Sequence, residues 1–256
     1  MKKRTGMLLA MALGAVLAVT GCGKKEAETP VDMQETAQVQ EGTKESEKTE
    51  TEAEVAARYE KDVYADQLSV YAEALEDEWE MDNYFAADMS PLPVYYYEGD
   101  KMENIGYAVQ DLDFNGRPEL IIGAIEGKEM DPVVLELWTA DENGKAVKLC
   151  TSYERDRYYL EWHKEGSYML ENQASSSAAN FARYYYGMDN GKLTLVQAVV
   201  FDAIADEENP WFAATDTDWD TGNDEPIEED MAMGIMESHA GVRIALDYIP
   251  FAQYTK

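Results

Sequence analysis

The stretch Tyr107-Ala-Val-Gln-Asp111-Leu-Asp113-Phe-Asn115-Gly116-Arg117-Pro-Glu119-Leu-Ile-Ile-Gly123 sets a polar turn between two apolar runs. The runs, 105–112 and 120–125, are short and rich in β-branched residues, so they read as strands. The turn itself reads D-x-D-x-N-G-x-x-E. Alternate residues Asp111, Asp113 and Asn115 turn oxygens toward one centre. Gly116 permits the sharp bend that lets the Arg117 carbonyl join them, and Glu119 closes the shell. An all-oxygen set with this many carboxylates suits Ca²⁺. Bare, the three acids would repel: at an effective dielectric of about 20, each pair costs on the order of 2–4 kcal/mol at a few ångströms. A positive charge is therefore expected there. It comes from a cation or, in a metal-free polar turn, partly from the Arg117 side chain. The pattern is not an EF-hand, because position 12 is Ile122 instead of a bidentate Glu and both flanks are strands.

Outward from this hairpin the chain stays β. Turn signals recur at Asn143-Gly144, Glu165-Gly166 and Asn190-Gly191, and strand-like runs cover 133–138, 158–162, 181–186 and 193–201. Tyr158, Leu160 and Trp162 alternate with Tyr159, Glu161 and His163, as in a half-buried strand. Successive hairpins give an antiparallel meander. Upstream, Tyr64, Leu68, Tyr71, Leu75 and Trp79 recur at helical spacing and predict one amphipathic helix over 54–79. Downstream, Asp224, Glu225 and Pro226 suit a helix start, Gly241 a stop, and Val242, Ile244, Leu246 and Tyr248 a last strand. The expected fold is α+β: an N-terminal amphipathic helix packed on an antiparallel β-meander, with a C-terminal helix and strand, in one domain spanning 54–256.

Charge narrows the function. The 256 residues carry 21 Lys+Arg against 52 Asp+Glu, a net charge of −31. That excludes nucleic acid as a partner, since phosphate contacts need a basic face. Two cysteines exclude a disulfide framework or a Cys-rich zinc module. No H-E-x-x-H, phosphate-cradling glycine loop or G-x-S-x-G occurs, and the run Ser175–Ser177 reads as a loop. His163 and His239 read as surface or satisfied histidines, and Cys150 as a small buried hydrophobe. A second acidic stretch repeats odd-position acids at Asp216, Asp218 and Asp220. Its glycine, Gly222, falls one place late, so a solvated loop leading to a helix cap is expected instead of a second ion site. Paired tyrosines at 95–97, 158–159 and 184–186 put rings on both faces of a strand. Core packing with edge cover is the simpler reading, and an exposed row for sugars or a protein is the alternative.

The N-terminus is a processing signal. Lys2, Lys3 and Arg4 precede an apolar run over 7–19. As a helix that run rises about 20 Å, short of the roughly 30 Å hydrocarbon core. It ends Leu17-Ala-Val19-Thr20-Gly21-Cys22, which resembles the lipobox of bacterial lipoproteins. The resemblance implies cleavage after residue 21 and a diacylglycerol on the Cys22 thiol. Residues 22–53 lack aromatics, are rich in Glu, Lys, Thr and Gln, and read as a disordered acidic tether. The ion loop is similar to the calcium loops of integrin-type β repeats. More closely, residues 107–123 resemble the signature of uncharacterised lipoproteins of Clostridia-type bacteria, with Phe114 where that family often has Gly. A bulky residue there is expected to pack over the loop. Together these features imply a lipid-anchored protein on the extracytoplasmic face of a bacterial membrane. Its Ca²⁺ would be structural, its role ligand binding or structural without catalysis, and its partner a wall glycan or surface protein. The alternative is a wall- or glycan-directed hydrolase using paired carboxylates.

Overall fold

The computed structural model describes residues 50–96, 99–125, 132–163 and 166–255. The signal segment, Cys22 and the tether through residue 49 lie outside the described residues, as do Tyr97 and Glu165.

Two helices stand where one was expected. α1 (Glu52–Asp62) begins with a capping box: the Glu54 N–H donates to Thr51 Oγ1 at 3.2 Å, and the Thr51 N–H to Glu54 Oε2 at 2.9 Å. The helix thus starts inside the stretch assigned to the tether. It ends at Val63, and α2 (Ala65–Glu76) starts anew beyond Tyr64. The break seats Tyr64 at full burial, with its hydroxyl donating to the Pro118 carbonyl at 2.8 Å. The expected stripe then packs as one face: Leu68, Tyr71 and Leu75 are buried. Trp79, past the helix end, meets Tyr84 edge-on at 5.9 Å. Short helices α3 (Met81–Ala86), α4 (Leu92–Tyr96) and α5 (Lys101–Asn104) lead into the sheet.

The strands are β1 (Ile105–Gln110), β2 (Glu119–Ala124), β3 (Val133–Ala140), β4 (Ala146–Thr151), β5 (Asp156–Trp162), β6 (Tyr168–Ser177), β7 (Asn180–Asp189), β8 (Lys192–Asp202), β9 (Trp211–Ala214) and the two-residue β10 (Glu225–Pro226). α6 (Glu229–His239) and two more short strands, β11 (Val242–Arg243) and β12 (Ile249–Pro250), complete the order. Every pairing among them is antiparallel. The fold is α+β, as the sequence predicts.

Several boundaries differ. The meander is interrupted at β3, whose one edge is shared by β4 along Glu136–Ala140 and by β5 at Val133 and Val134. The serine run is strand, because the β6–β7 hairpin extends past a bulge at Ser175/Ser177. The last strand splits: Val242 and Arg243 pair with β5, while Ile249 and Pro250 pair with β1. Ile244, Leu246 and Tyr248 cross between those edges, half-buried. The C-terminal helix starts at Glu229, after a 3-10 turn over Thr221–Asn223.

Both faces of the central strands are covered. On one, Tyr64, Leu68, Tyr71 and Leu75 pack with Ile105, Tyr107, Leu120 and Ile122. On the other, Ile121, Leu137, Leu160 and Leu170 form a second cluster with Leu112, and Met188 and Leu193 from the β7–β8 hairpin pack against it. Strands distant in sheet order thus share one core, which requires the sheet to coil. Bulges at Ile122/Gly123, Leu137/Trp138 and Tyr185/Tyr186 supply the bends. Coiling carries the β7–β8 turn to the β1–β2 loop.

Candidate functional site

The loop between β1 and β2 folds around its own acids. Asp111 Oδ1 accepts the Asn115 N–H at 3.0 Å, and its Oδ2 the Gly116 N–H at 2.8 Å. Asp113 Oδ1 accepts the same Asn115 N–H at 3.2 Å, and Asn115 Oδ1 accepts the Arg117 N–H at 2.7 Å. The Asp113 and Asn115 bonds, each two residues on, are Asx turns, in which a short side chain takes the place of a backbone carbonyl, while Asp111 reaches four and five residues on. Gly116 bends at φ +82°, in the left-handed region. Phe114 also sits there, at φ +59°. That is the backbone reason glycine suits this position. The Phe114 ring does not cover the loop as expected: it is 66% exposed and stacks on Tyr168 of β6 at 6.1 Å.

Long-range contacts, none readable from the local motif, hold the loop in place. The Gly191 N–H at the β7–β8 turn donates to Asp113 Oδ2 at 2.6 Å. The turn is the Asn190-Gly191 pair, with both residues at positive φ. A side chain on Gly191 would put its Cβ 2.6 Å from Thr139 Oγ1. Thr139 in turn donates to Glu119 Oε1 at 3.0 Å, and the Leu112 N–H to Glu119 Oε2 at 2.9 Å. Tyr64 grips the Pro118 carbonyl.

The result is a convergence of charge. Ligand atoms of Asp111, Asp113 and Glu119 all lie within 4.8 Å of one another. Oxygens at about 2.3–2.6 Å from a Ca²⁺ ion lie at most about 5 Å apart, so one ion can reach all three. Each hydrogen-bonded carboxylate oxygen keeps a further lone pair for a cation. Glu119 is fully buried, and burial together with neighbouring Asp113 and Asp111 lifts its pKa from 4.5 to about 7, against the two hydrogen bonds it accepts. The Arg117 side chain does not supply the balancing charge. Its Nη2 donates to the Asn190 carbonyl at 3.5 Å, and among the described residues none of the three acids forms an ion pair. Asn115 commits its amide oxygen to the Arg117 N–H, and its Nδ2 is buried with no hydrogen-bond partner. Asp111, Asp113 and Glu119 would hold a cation. What such an ion supplies is charge neutralisation and a fixed hairpin register.

The second acidic stretch does not converge. Asp216, Asp218 and Asp220 each accept the backbone N–H two residues on, at 3.2, 2.9 and 3.0 Å, and all three stay exposed. Among the described residues no metal-ligating group of three or more acids, histidines or cysteines forms there.

Two cavities lie elsewhere on the sheet. One, of about 310 Å³, is flanked by Glu161 of β5 and Glu171 of β6 and closed by Met236 and Ala240. Burial holds Glu161 above the usual carboxylate range. Both acids have cationic neighbours: Arg243 Nη2 reaches Glu171 at 3.0 Å, Arg183 Nε reaches it at 3.6 Å, and Arg243 Nε lies 3.9 Å from Glu161. The histidines stand nearby, His163 3.6 Å from Glu161 and His239 stacked on Tyr185 at 4.9 Å. The other cavity, of about 380 Å³, lies among Tyr158, Tyr184, Tyr186 and Trp219. Cys150 is a free thiol buried in the Leu137–Leu160 cluster, and burial pushes its pKa up. Among the described residues no helix is long and apolar enough to cross a membrane. In comparisons with known proteins, no family model, no curated protein and no solved structure matches this chain.

Proposed function

We propose that this chain is a lipid-anchored protein of the outer face of a bacterial membrane, clasped by one structural Ca²⁺ ion and acting by binding a ligand, without catalysis. The observation that carries the clasp is the convergence of Asp111, Asp113 and buried Glu119 with no cationic side chain paired to them among the described residues. The anchor rests on the basic start, the apolar run and Cys22 in the sequence. An extracellular setting suits such a loop, because sites of this class work at Kd values of about 10⁻⁴–10⁻³ M where calcium is plentiful. Thermal melts of the full chain with calcium and with chelator test the reading. At calcium about 100-fold above Kd the ion adds about 2.7 kcal/mol, a rise in Tm of roughly 5–10 °C. No shift removes the ion from the account.

A second reading, a glycan-directed hydrolase using paired carboxylates, is favoured by one observation: Glu161 and Glu171 flank one cavity and burial raises Glu161. Against it, Arg183 and Arg243 neutralise the pair. Turnover of cell-wall glycan by the intact chain, abolished in both Glu161→Gln and Glu171→Gln, would establish this reading. Absence of turnover leaves binding.

A further inference from the structure

The cavity of about 380 Å³ among the tyrosines follows from strand register. Across β5, β6 and β7, Tyr158, Asn172 and Tyr184 stand in one cross-strand row, with Asp156, Ala174 and Ala182 in the row beside it. Side chains in such rows share a face. Ala174, beside Tyr158 and Tyr184, leaves room above the sheet, and the rings of Tyr158, Tyr184 and Tyr186 wall it. Trp219, 40% exposed, comes from the second acidic loop and forms part of the rim.

This cavity is electronegative. Aromatic faces carry negative potential. Asp156 is half-buried, its hydrogen-bond partner is the Asn172 amide, and it forms no ion pair among the described residues. Among the described residues the one cation on the lining, Arg155, is exposed and donates to the Ser176 carbonyl at 2.6 Å. The surrounding field has the same sign: burial, then neighbouring Tyr186, Asp156, Asp224 and Asp216, hold the Tyr184 hydroxyl well above its ordinary range. Asp224 adds a buried carboxylate oxygen, Oδ2, with no hydrogen-bond partner. A pocket of about 380 Å³ falls at the small end of ligand sites.

Resting on the ligand-binding reading above, we infer that the cavity among Tyr158, Tyr184, Tyr186 and Trp219 binds a small organic cation of single-ring size, such as a hexosamine unit with a free amine, with Asp156 as its counter-ion. The ring stacks on the aromatic walls, while the ammonium faces the carboxylate and the π-faces. A neutral sugar gains the stacking alone. The acidic loop, which holds no ion cluster of its own, serves as the anionic rim.

The test titrates the full chain, in calcium, with glucosamine, glucose and N-acetylglucosamine at a pH where the amine is protonated, following tryptophan fluorescence and heat. Glucose differs from glucosamine mainly in the charged group. Glucosamine binding at least about tenfold tighter than either neutral sugar is expected, with at least about a tenfold loss in Asp156→Asn and in Trp219→Ala. Trp219→Ala changes an exposed rim residue, so it remains informative if Asp156→Asn fails to fold. Equal binding of glucose and glucosamine overturns the cation assignment and makes this a neutral-sugar site. No binding of any of the three, by a chain whose melt still responds to calcium, overturns the cavity and leaves the clasp standing. Binding without a calcium response does the reverse.

Discussion

Two loops in this chain share a pattern and differ in outcome. Asp111–Glu119 and Asp216–Asp224 both place acids at alternate positions, and both use them to cap backbone N–H groups two to five residues on. Among the described residues only the first brings three carboxylates within 4.8 Å of one another. The difference lies outside the motif. The first loop closes two strands whose coiled sheet delivers Gly191 and Thr139 to it, the break between α1 and α2 delivers Tyr64, and its last acid, Glu119, is the first residue of a fully covered strand. The second loop joins β9 to β10, near the end of the sheet; Asp216, Asp218 and Asp220 meet backbone N–H groups and solvent, and Asp224 keeps a buried Oδ2 with no hydrogen-bond partner. Spacing makes an acidic turn. Distant strands make it a site.

The largest effect that would break this comparison is steric. Gly191→Val puts a β-branched residue at φ +69° with its Cβ against Thr139. We expect a loss of about 3 kcal/mol, or roughly 6–12 °C in Tm, and with it the calcium response. Gly222→Ala in the second loop, at an ordinary φ with Asp220 Oδ1 3.0 Å from the new Cβ, should change stability by no more than about 0.5 kcal/mol. Equal effects would mean the loops do not differ as described.

Next comes pH. Glu119 titrates at about 7 in the folded chain against 4.5 ordinarily, so between those values the native state holds a proton that the unfolded state has lost. In chelator its contribution is fully present below about pH 4.5 and disappears as pH rises through 7, on the order of 3 kcal/mol across the window. The proposed calcium ion would take the ionised form and flatten or reverse that slope. Urea denaturation at several pH values, with and without calcium, checks both signs. A chelator slope that rises with pH would contradict the burial argument.

Asp111→Asn should remove most of the calcium-dependent rise of roughly 5–10 °C, while Asp218→Asn leaves it intact. Within the first loop the smallest effect is at Phe114. Replacing it with Gly relieves the left-handed backbone but forfeits the stack on Tyr168, for a net change within about 1 kcal/mol.

Much of this was legible in the residues. The α+β order, the hairpin turns at Gly144, Gly166 and Gly191, and the acids of the first loop follow from periodicity and spacing. So does the face made by Leu68, Tyr71 and Leu75. What escaped is tertiary. The helix breaks at Tyr64 because that ring is needed under Pro118, which no helical pattern records. Thr51 and Glu54 spell a capping box that marks the true start, a signal present but outweighed by the polar composition around it. β4 is a half-exposed strand with a weak apolar pattern. β6 runs through three serines because its partner β7 continues beside it. Thr139 and Gly191 lie 20 and 78 residues from the acids they hold, and the tyrosine cavity depends on register across three strands. None of these distances is encoded locally.

Calorimetric titration of the chelator-stripped full chain with Ca²⁺ at physiological ionic strength, alongside Asp113→Asn and Asp216→Asn, decides whether the β1–β2 loop is an ion site. The account predicts one ion per chain, lost in Asp113→Asn and kept in Asp216→Asn. No heat of binding, or binding that disappears only in Asp216→Asn, would contradict it.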